Sequence, residues 1–215
     1  MAASEIQTAL SGTTCEVQVL PPTDTKDLEN IMPRWSSVAV STPHAIVTPS
    51  TISDILAVVA YATAHSLKVI PTGGNNNAAL PINSKTIYLS LSQFKKMDLD
   101  ESSGVVEFGG GVISGDLMNY LGEKGYCTAV PNSNKIGMVG ALMGGLIHPL
   151  VGVHGRGCDN IEEVRIVPYS TADGSELREL VLRKDATDEM ERRLLNVVSG
   201  AGMGFGIVTS VKLKA

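Results

Sequence analysis

Two spacings of apolar residues along this chain predict two kinds of element. After Thr51, apolar residues recur three or four positions apart until about residue 67, namely Ile55, Val58, Val59 and Ala62. That spacing places side chains on one face of a helix. Thr51 is followed three positions later by Asp54, as in a capping box that closes the first turn of a helix. We therefore predict a helix that begins at Thr51.

Other segments alternate between apolar and polar residues, or are short apolar runs, as is typical of strands. They lie at 68–70, 86–91, 104–108, 126–130, 161–169, 177–183 and 205–214. Asp173 and Gly174 form a predicted turn between two of them. Further helices are predicted at about 114–124, closed by Gly125, and at 139–146 and 187–198.

Helices and strands are mixed without regular β-α-β alternation, so the predicted fold class is α+β. Residues 1–34 contain scattered polar positions and a Pro-Pro pair, which favours a short helix or strand within an N-terminal arm. The remainder, 35–215, is predicted to form one domain with two mixed subdomains, at about 35–110 and 111–215.

Composition narrows the possible classes. The 215 residues are 43% hydrophobic and 18% charged, with a formal net charge of −5, which argues against disorder and against a nucleic-acid partner. Apolar runs end well before the roughly 18 residues that a membrane span needs. Glycine is abundant, at 22 residues, while aromatic residues make up 4%. The chain is therefore rich in backbone turns and poor in bulky pocket walls.

The cysteines and the N-terminus predict a cytosolic, reduced protein. Cys15, Cys127 and Cys158 are far apart and form no CxxC pair, so neither a disulfide framework nor a zinc site is expected. The four histidines show no metal-binding spacing, and no metal is predicted. Residues 1–5 lack the basic and apolar regions of a secretory signal.

A glycine-rich loop is the first chemical signal. The apolar run 68–70 leads directly into PTGGNNN at 71–77. Consecutive glycines permit positive φ, and asparagine tolerates the left-handed conformation, so successive N–H groups can converge on an anion. A tight turn that binds no ligand explains the same sequence. Both interpretations stay open on the residues alone.

Two further glycine-rich segments are weaker signals. Residues 200–206 (GAGMGFG) contain GxGxxG-like spacings, but they follow a predicted helix and precede a strand. A Rossmann site needs the opposite order, and is therefore disfavoured. Residues 136–145 place glycines three or four positions apart, which suits either a closely approaching cofactor or helix packing.

The order of these motifs is more specific than any one of them. Residues 35–215 resemble the FAD-binding domain of the vanillyl-alcohol oxidase / p-cresol methylhydroxylase (PCMH-type) superfamily, nearest its berberine-bridge-enzyme-like branch. The matching segments are Pro49–Ile55, 65–77, 87–91 with Lys96-Met97, 136–145, 158–161, 171–174 and 199–210.

This resemblance implies FAD as cofactor and a set of cofactor-binding residues. The pyrophosphate would lie against Thr72, Gly73, Gly74, Asn75, Asn76 and Asn77. The ribityl chain and isoalloxazine ring would pass Ser133, Gly137, Val139, Gly140 and Gly144. The adenine end would lie near Ile161, Gly206 and Val208 or their backbone.

The chain also departs from the family pattern. The family often bonds FAD covalently to a histidine in the first loop and sometimes to a cysteine in the later one, but Asn76 and Ser133 stand there. The flavin is therefore expected to be bound non-covalently, or lost. Asn75 and Leu146 replace common glycines, and both side chains are expected to crowd the flavin.

No catalytic base is assigned. The resemblance implies that the substrate domain, which usually carries the base, is missing. His148, His154, Asp116 and Tyr126 are the titratable residues near glycine loops, and a structural role is the expectation for each.

Three functions fit these residues. The first is an FAD-dependent oxidoreductase for a small secondary metabolite. The second is a redox-silent cyclase or isomerase that reuses the flavin cleft for a polyene or polyketide. The third is a non-catalytic partner subunit, or half of a longer enzyme. A homo-oligomer, or a partner protein that covers the open cleft, is expected.

Overall fold

The computed structural model describes residues 2–22, 24–171, 174 and 176–215. Asp173 of the predicted turn and Ala172 of the 171–174 motif lie outside them. The helices are α1 (Ala2–Ala9), α2 (Thr25–Ile31), α3 (Ile52–Ala64), α4 (Ser114–Gly122), α5 (Met138–Met143), α6 (Val151–His154) and α7 (Glu189–Ala201). The strands are β1 (Glu16–Gln18), β2 (Ala45–Thr48), β3 (Lys68–Thr72), β4 (Thr86–Ser90), β5 (Met97–Asp100), β6 (Val105–Gly109), β7 (Ile161–Pro168), β8 (Leu180–Arg183) and β9 (Gly206–Lys214).

The chain forms two compact units, Met1–Gln93 and Phe94–Ala215. The sequence-based boundary near residue 110 lies inside the second unit. The physical reason is β5, which the sequence pattern did not predict. It pairs with β6, and β6 pairs with β9, so the chain enters the second sheet at Met97.

The first unit is built on a four-stranded sheet in the order β1-β2-β4-β3. β2, β4 and β3 are parallel, while β1 adds an antiparallel edge. The predicted capping box of α3 is present: the Thr51 side chain accepts from the N–H of Asp54, and the Asp54 side chain accepts from the N–H of Thr51. Ile55, Val58 and Val59 are buried on one face of that helix.

Residues 1–34 are part of this unit and not an appended arm. β1 pairs with β2, and Leu28 and Met32, in α2 and just after it, are buried in a core with Ile46, Ile70, Ile82 and Tyr88. The segment before β1 is held by a carboxylate. Thr14 donates to Asp54 through its N–H (3.0 Å) and its hydroxyl (2.6 Å).

The second unit contains a five-stranded antiparallel sheet in the order β5-β6-β9-β7-β8. Its core combines side chains from α4, α5 and α7 with those of the sheet, including Phe108, Leu117, Leu142, Val164 and Val211. One mixed and one antiparallel sheet confirm the α+β class. No helix in the described residues is long and apolar enough to cross a bilayer.

The prediction of a strand at 126–130 was wrong. These residues form no regular element. The N–H of Tyr126 donates to the C=O of Leu121 (3.0 Å), and the Thr128 hydroxyl donates to the C=O of Lys214 (2.5 Å). The segment therefore satisfies polar groups as an irregular connection. Other boundaries differ by a few residues: α4 ends at Gly122, and β8 begins at Leu180.

Candidate functional site

The first glycine loop follows the carboxyl end of β3, in the parallel part of the first unit's sheet. Thr72 ends that strand. Its hydroxyl donates to the C=O of Leu89 (3.1 Å), and its own C=O accepts from the N–H of Leu91 (2.9 Å). Thr72 is thus tied to the chain of β4 and fixes where the loop begins.

The loop presents unengaged N–H groups. Within the described part of the chain, the N–H groups of Gly73, Gly74 and Asn76 donate to no protein acceptor. Gly73 and Asn76 are exposed and Gly74 is half-buried. Neighbouring backbone donors that lack a protein acceptor suit an anion such as a pyrophosphate. The residues present therefore fit the phosphate part of FAD.

Asn75 supplies the left-handed turn of this loop, with φ of 57°. Consecutive glycines permit positive φ, but Gly73 and Gly74 are not among the residues that adopt it. Asparagine occupies this region more readily than most residues. Its side-chain oxygen accepts from the hydroxyl of buried Tyr88 (2.7 Å), and its C=O accepts from the N–H of Trp35 (3.2 Å). Both bonds hold the turn.

Arg34 binds the chain that follows the loop. Its guanidinium donates to the C=O of Leu80 (3.1 Å) and to the C=O of Asn77. Burial lowers the pKa of Arg34 and raises the pKa of Tyr88. Sequence reasoning missed Arg34, Trp35 and Tyr88, since the first two lay in or beside the expected arm and the third in an apolar strand.

The second unit contains a loop at 133–137, which the start of α4 holds in place. The hydroxyl of buried Ser114 donates to the C=O of Ser133 (2.5 Å), and its N–H donates to the C=O of Ile136 (2.9 Å). The N–H of Gly115 donates to the C=O of Asn134 (3.0 Å). Ser133 itself is exposed. The α4 donors thus order the loop through its carbonyl groups.

α5 follows that loop and has a bare face. Gly140 and Gly144, four positions apart, are both exposed. A Cβ at Gly140 would meet nothing within 4 Å. Gly137 and Val139 are buried instead, and Gly137 forms a β-bridge with Ile113. At Gly144 a Cβ would lie 3.7 Å from the terminal methyl group of Met203, so the bare face is the open backbone at Gly140. Open backbone can accept a flat ring system, and Gly140 therefore fits its predicted role.

The residues expected near the adenine are strand residues. The side chains of Ile161 and Val208 are buried in the core of the second unit. Gly206 lies against β7, where a Cβ would be 2.3 Å from the C=O oxygen of Val167. This close approach explains the glycine without a ligand, and any contact from these positions would come from the backbone.

The other glycine-rich segments pack on each other. Gly200, with φ of 111°, interrupts α7, and a Cβ there would contact Cys158 (3.6 Å) and Gly145 (3.8 Å). A Cβ at Gly202 would lie 2.7 Å from the sulfur of Met143. Packing of α5, α7 and the 3-10 helix at 157–160 therefore accounts for Gly200 and Gly202 of the 200–206 motif.

Leu146, which stands where the resembled family commonly has glycine, adopts φ of 47°. Its side chain is 5% exposed. A Cβ at Gly157 would lie 2.8 Å from the Cβ of Leu146. The Leu146 side chain is thus buried against Gly157.

Two of the four titratable candidates contact backbone carbonyl groups at hydrogen-bond distance. A ring nitrogen of buried His148 is 2.9 Å from the C=O of Gly155, and the Tyr126 hydroxyl donates to the C=O of Glu101 (3.1 Å). His154 is exposed, and Asp116 is half-buried in the first turn of α4. The described residues contain no group of three or more His, Cys, Asp or Glu that could hold a metal ion.

Comparison with known proteins identifies the family of this chain. The family model described as FAD binding domain matches residues 43–178. FAD-linked oxidoreductase fmqD of Aspergillus fumigatus is 33% identical over 92% of this chain, and FAD-linked oxidoreductase srdI of Neurospora crassa is 29% identical over 87%. The structure of Physcomitrella patens BBE-like 1 superposes with a TM-score of 0.80 over 97% of this chain, at 20% identity. The sequence-based resemblance is confirmed.

The matches cover only part of each relative. The chain spans 39% of fmqD, 36% of srdI and 44% of the Physcomitrella patens protein. More than half of each of these proteins has no counterpart among the 215 residues.

Proposed function

This chain belongs to the FAD binding domain family, and on that premise we propose that it is the flavin-binding part of an oxidoreductase for a small secondary metabolite. The unengaged N–H groups of Gly73, Gly74 and Asn76 carry the proposal, because they suit a pyrophosphate. The relatives named FAD-linked oxidoreductase support a redox reaction.

The chemistry that bound FAD would supply is hydride acceptance, as in the oxidation of a substrate carbon. The chain's own contribution is binding and orientation. In the first unit, the donors of the 73–76 loop would hold the pyrophosphate. In the second unit, the open backbone of α5 at Gly140 leaves room for a flat ring. Asn76 and Ser133 offer no histidine or cysteine nucleophile, so the flavin would be held by non-covalent contacts alone.

An absorption spectrum tests the redox proposal directly. Protein purified with FAD should show a flavin band at about 450 nm, and the apoprotein should regain it on titration with FAD. A colourless protein that gains no protein-bound band would contradict the proposal. If that colourless protein still changed a product profile without oxygen, the cyclase or isomerase alternative would take its place.

A second polypeptide is the proposed partner. Ile147, Leu150, Val151 and Val153 are all exposed, and we call them the 147–153 apolar segment. Contiguous apolar exposure of this kind is typical of surfaces that another chain covers. Because more than half of each relative has no counterpart here, we propose that a polypeptide equivalent to that portion covers the segment and supplies the catalytic base.

The oligomeric state of the isolated protein, measured by light scattering, tests whether the 147–153 apolar segment needs a covering partner. Alone, the protein should self-associate through the uncovered segment, and the combined substitution Ile147→Ser and Val153→Ser should return it to a monomer. Met190→Ser is the matched control, since Met190 is similarly exposed but distant in sequence. A wild-type protein that stays monomeric would contradict the proposal. A stable dimer of defined size would identify a second copy as the occupant instead.

The proposed location is the cytosol. Cys15, Cys127 and Cys158 are free thiols in the structure, which is compatible with a reducing compartment. A fluorescent fusion followed by microscopy tests this, and secretion into the medium would contradict it.

A further inference from the structure

Three carbonyl groups along the 75–80 segment are bound by two consecutive residues. The C=O of Asn75 accepts from the N–H of Trp35, and the carbonyls of Asn77 and Leu80 both accept from the guanidinium of Arg34. Each peptide unit carries an acceptor as well as a donor. A loop that binds an anion must keep its negative carbonyl oxygens away from it.

Arg34 is suited to this task because of its shape. A guanidinium presents several donors in a rigid planar fork, whereas an ammonium is a single point of charge. One nitrogen of Arg34 binds Leu80 and another binds Asn77. One planar group therefore sets two separate points of the 75–80 segment.

We propose that Arg34 and the N–H of Trp35 position the 73–76 loop for pyrophosphate by binding the carbonyl groups of Asn75, Asn77 and Leu80. Arg34 is thus a positioning residue that acts through the backbone and makes no contact with phosphate. This inference rests on the proposed function. Both residues precede the 43–178 region that the family model matches.

The fluorescence of Trp35 also provides a measurement of ligand binding. Trp35 is the only tryptophan in the sequence, it is 77% exposed, and its backbone nitrogen is 3.2 Å from the C=O oxygen of Asn75. Its emission should change when a ligand enters the loop. Titrations with FAD and with inorganic pyrophosphate then give two dissociation constants for each variant without any assay of turnover.

Arg34→Lys is the decisive variant because it keeps the charge and removes the fork. We expect both dissociation constants to rise about tenfold to a hundredfold, as the loss of two hydrogen bonds implies, with a similar rise in Arg34→Ala. The melting temperature of Arg34→Lys should stay close to that of the wild type. If Arg34→Ala does not fold, Arg34→Lys carries the test by itself.

Arg192→Lys is the matched control. Arg192 also donates to two carbonyl groups, those of Ala186 (2.6 Å) and Thr187 (3.3 Å), but in the second unit. Its substitution should leave both dissociation constants unchanged. If Arg34→Lys binds both ligands like the wild type while Arg34→Ala does not, the charge acts directly and the inference is overturned. Unchanged binding in both Arg34 variants overturns it too.

The outcomes also separate the inference from the proposed function. A wild-type protein that binds pyrophosphate but not FAD, with weakened binding in Arg34→Lys, would reject the flavin proposal and keep the positioning role. A wild-type protein that binds both ligands, with no effect of Arg34→Lys, would do the reverse. Binding of neither ligand by the wild type would overturn both.

Discussion

Asn75 and Leu146 hold left-handed backbone conformations, with φ of 57° and 47°, at positions where the resembled family commonly has glycine. A side chain there costs about 1–2 kcal/mol, so each needs compensation from its surroundings. Asn75 gains a hydrogen bond from Tyr88 (2.7 Å), and Leu146 gains burial in the core. The glycine that the family prefers is thus replaced at each site by a residue with its own partner.

The fit between Leu146 and Gly157 gives a first prediction. Gly157→Ala should lower the free energy of unfolding by about 1–3 kcal/mol, since its new methyl group would overlap Leu146. Leu146→Ala makes room for it, so the double variant should lose less than the sum of the two single losses. Urea denaturation of the four proteins measures this, and strict additivity would contradict it.

Asp54 gives a second prediction, about pH. Burial acts to raise its pKa, but hydrogen bonds from Thr14, Ser50 and Thr51 outweigh burial and lower the pKa to about 2. A carboxylate with a depressed pKa stabilises the fold above its unfolded pKa of about 4 and loses that contribution as the pH falls through about 2. The contribution near neutral pH corresponds to about 2 kcal/mol.

Asp54→Asn should therefore lower the free energy of unfolding by about 2 kcal/mol at pH 7, and this difference should shrink as the pH approaches 2. Denaturation across that pH range measures it. Asp100→Asn is the control: hydrogen bonds from Ser102 and Ser103 also lower the pKa of Asp100 to about 2, but in an exposed turn. Equal losses in the two variants would show that burial of Asp54 does not matter.

At the scale of elements, the sequence pattern predicted an element correctly where all the residues that determine it lie within one segment. The Thr51–Asp54 capping box and the helical spacing after it predicted α3. β1 and β5 have only 3 and 4 residues, too few for a clear alternation, and their pairing with distant strands decides their conformation. Residues 126–130 have side chains suited to a strand but form none, because a strand also needs a neighbouring strand with which to pair.

α5 carries the third prediction. Gly140→Ala should raise stability by about 0.5–1 kcal/mol, as expected for glycine replaced inside a helix with open space around it. Gly140→Phe should keep the melting temperature of the apoprotein and abolish FAD binding, because its ring would fill the bare face. Thermal denaturation and FAD titration measure the two effects.

Gly122→Phe is the matched control for that pair. Gly122 is another exposed helical glycine with nothing within 4 Å of an added Cβ, at the end of α4. It should bind FAD like the wild type. Normal FAD binding by Gly140→Phe would show that this face of α5 does not hold the flavin.

At the scale of the whole molecule, the binding mode of the flavin is testable. Acid precipitation of the holoprotein should release all FAD into the supernatant, because Asn76 and Ser133 cannot form the covalent bonds that the resembled family often has. Excess FAD should also raise the melting temperature through mass action. Flavin fluorescence that stays with the denatured polypeptide on a gel would contradict a non-covalent site.

The sequence predicted the candidate site unevenly, and for a physical reason. Gly73, Gly74 and Asn75 form a contiguous motif whose backbone properties are local, so the loop could be recognised directly. Arg34 and Tyr88 act on that loop from 13 or more positions away, through contacts that exist only after folding. No spacing rule along the chain links them to it.

The strand order of the second sheet also affects how the protein is made. β9 lies between β6 and β7 in that sheet, although it is synthesised after both. Until residues 206–214 leave the ribosome, the β5-β6 and β7-β8 hairpins have no common neighbour. The first unit has all of its strands by residue 90. We therefore expect the first unit to acquire protease resistance on the ribosome, while the second does so only after its final strand emerges.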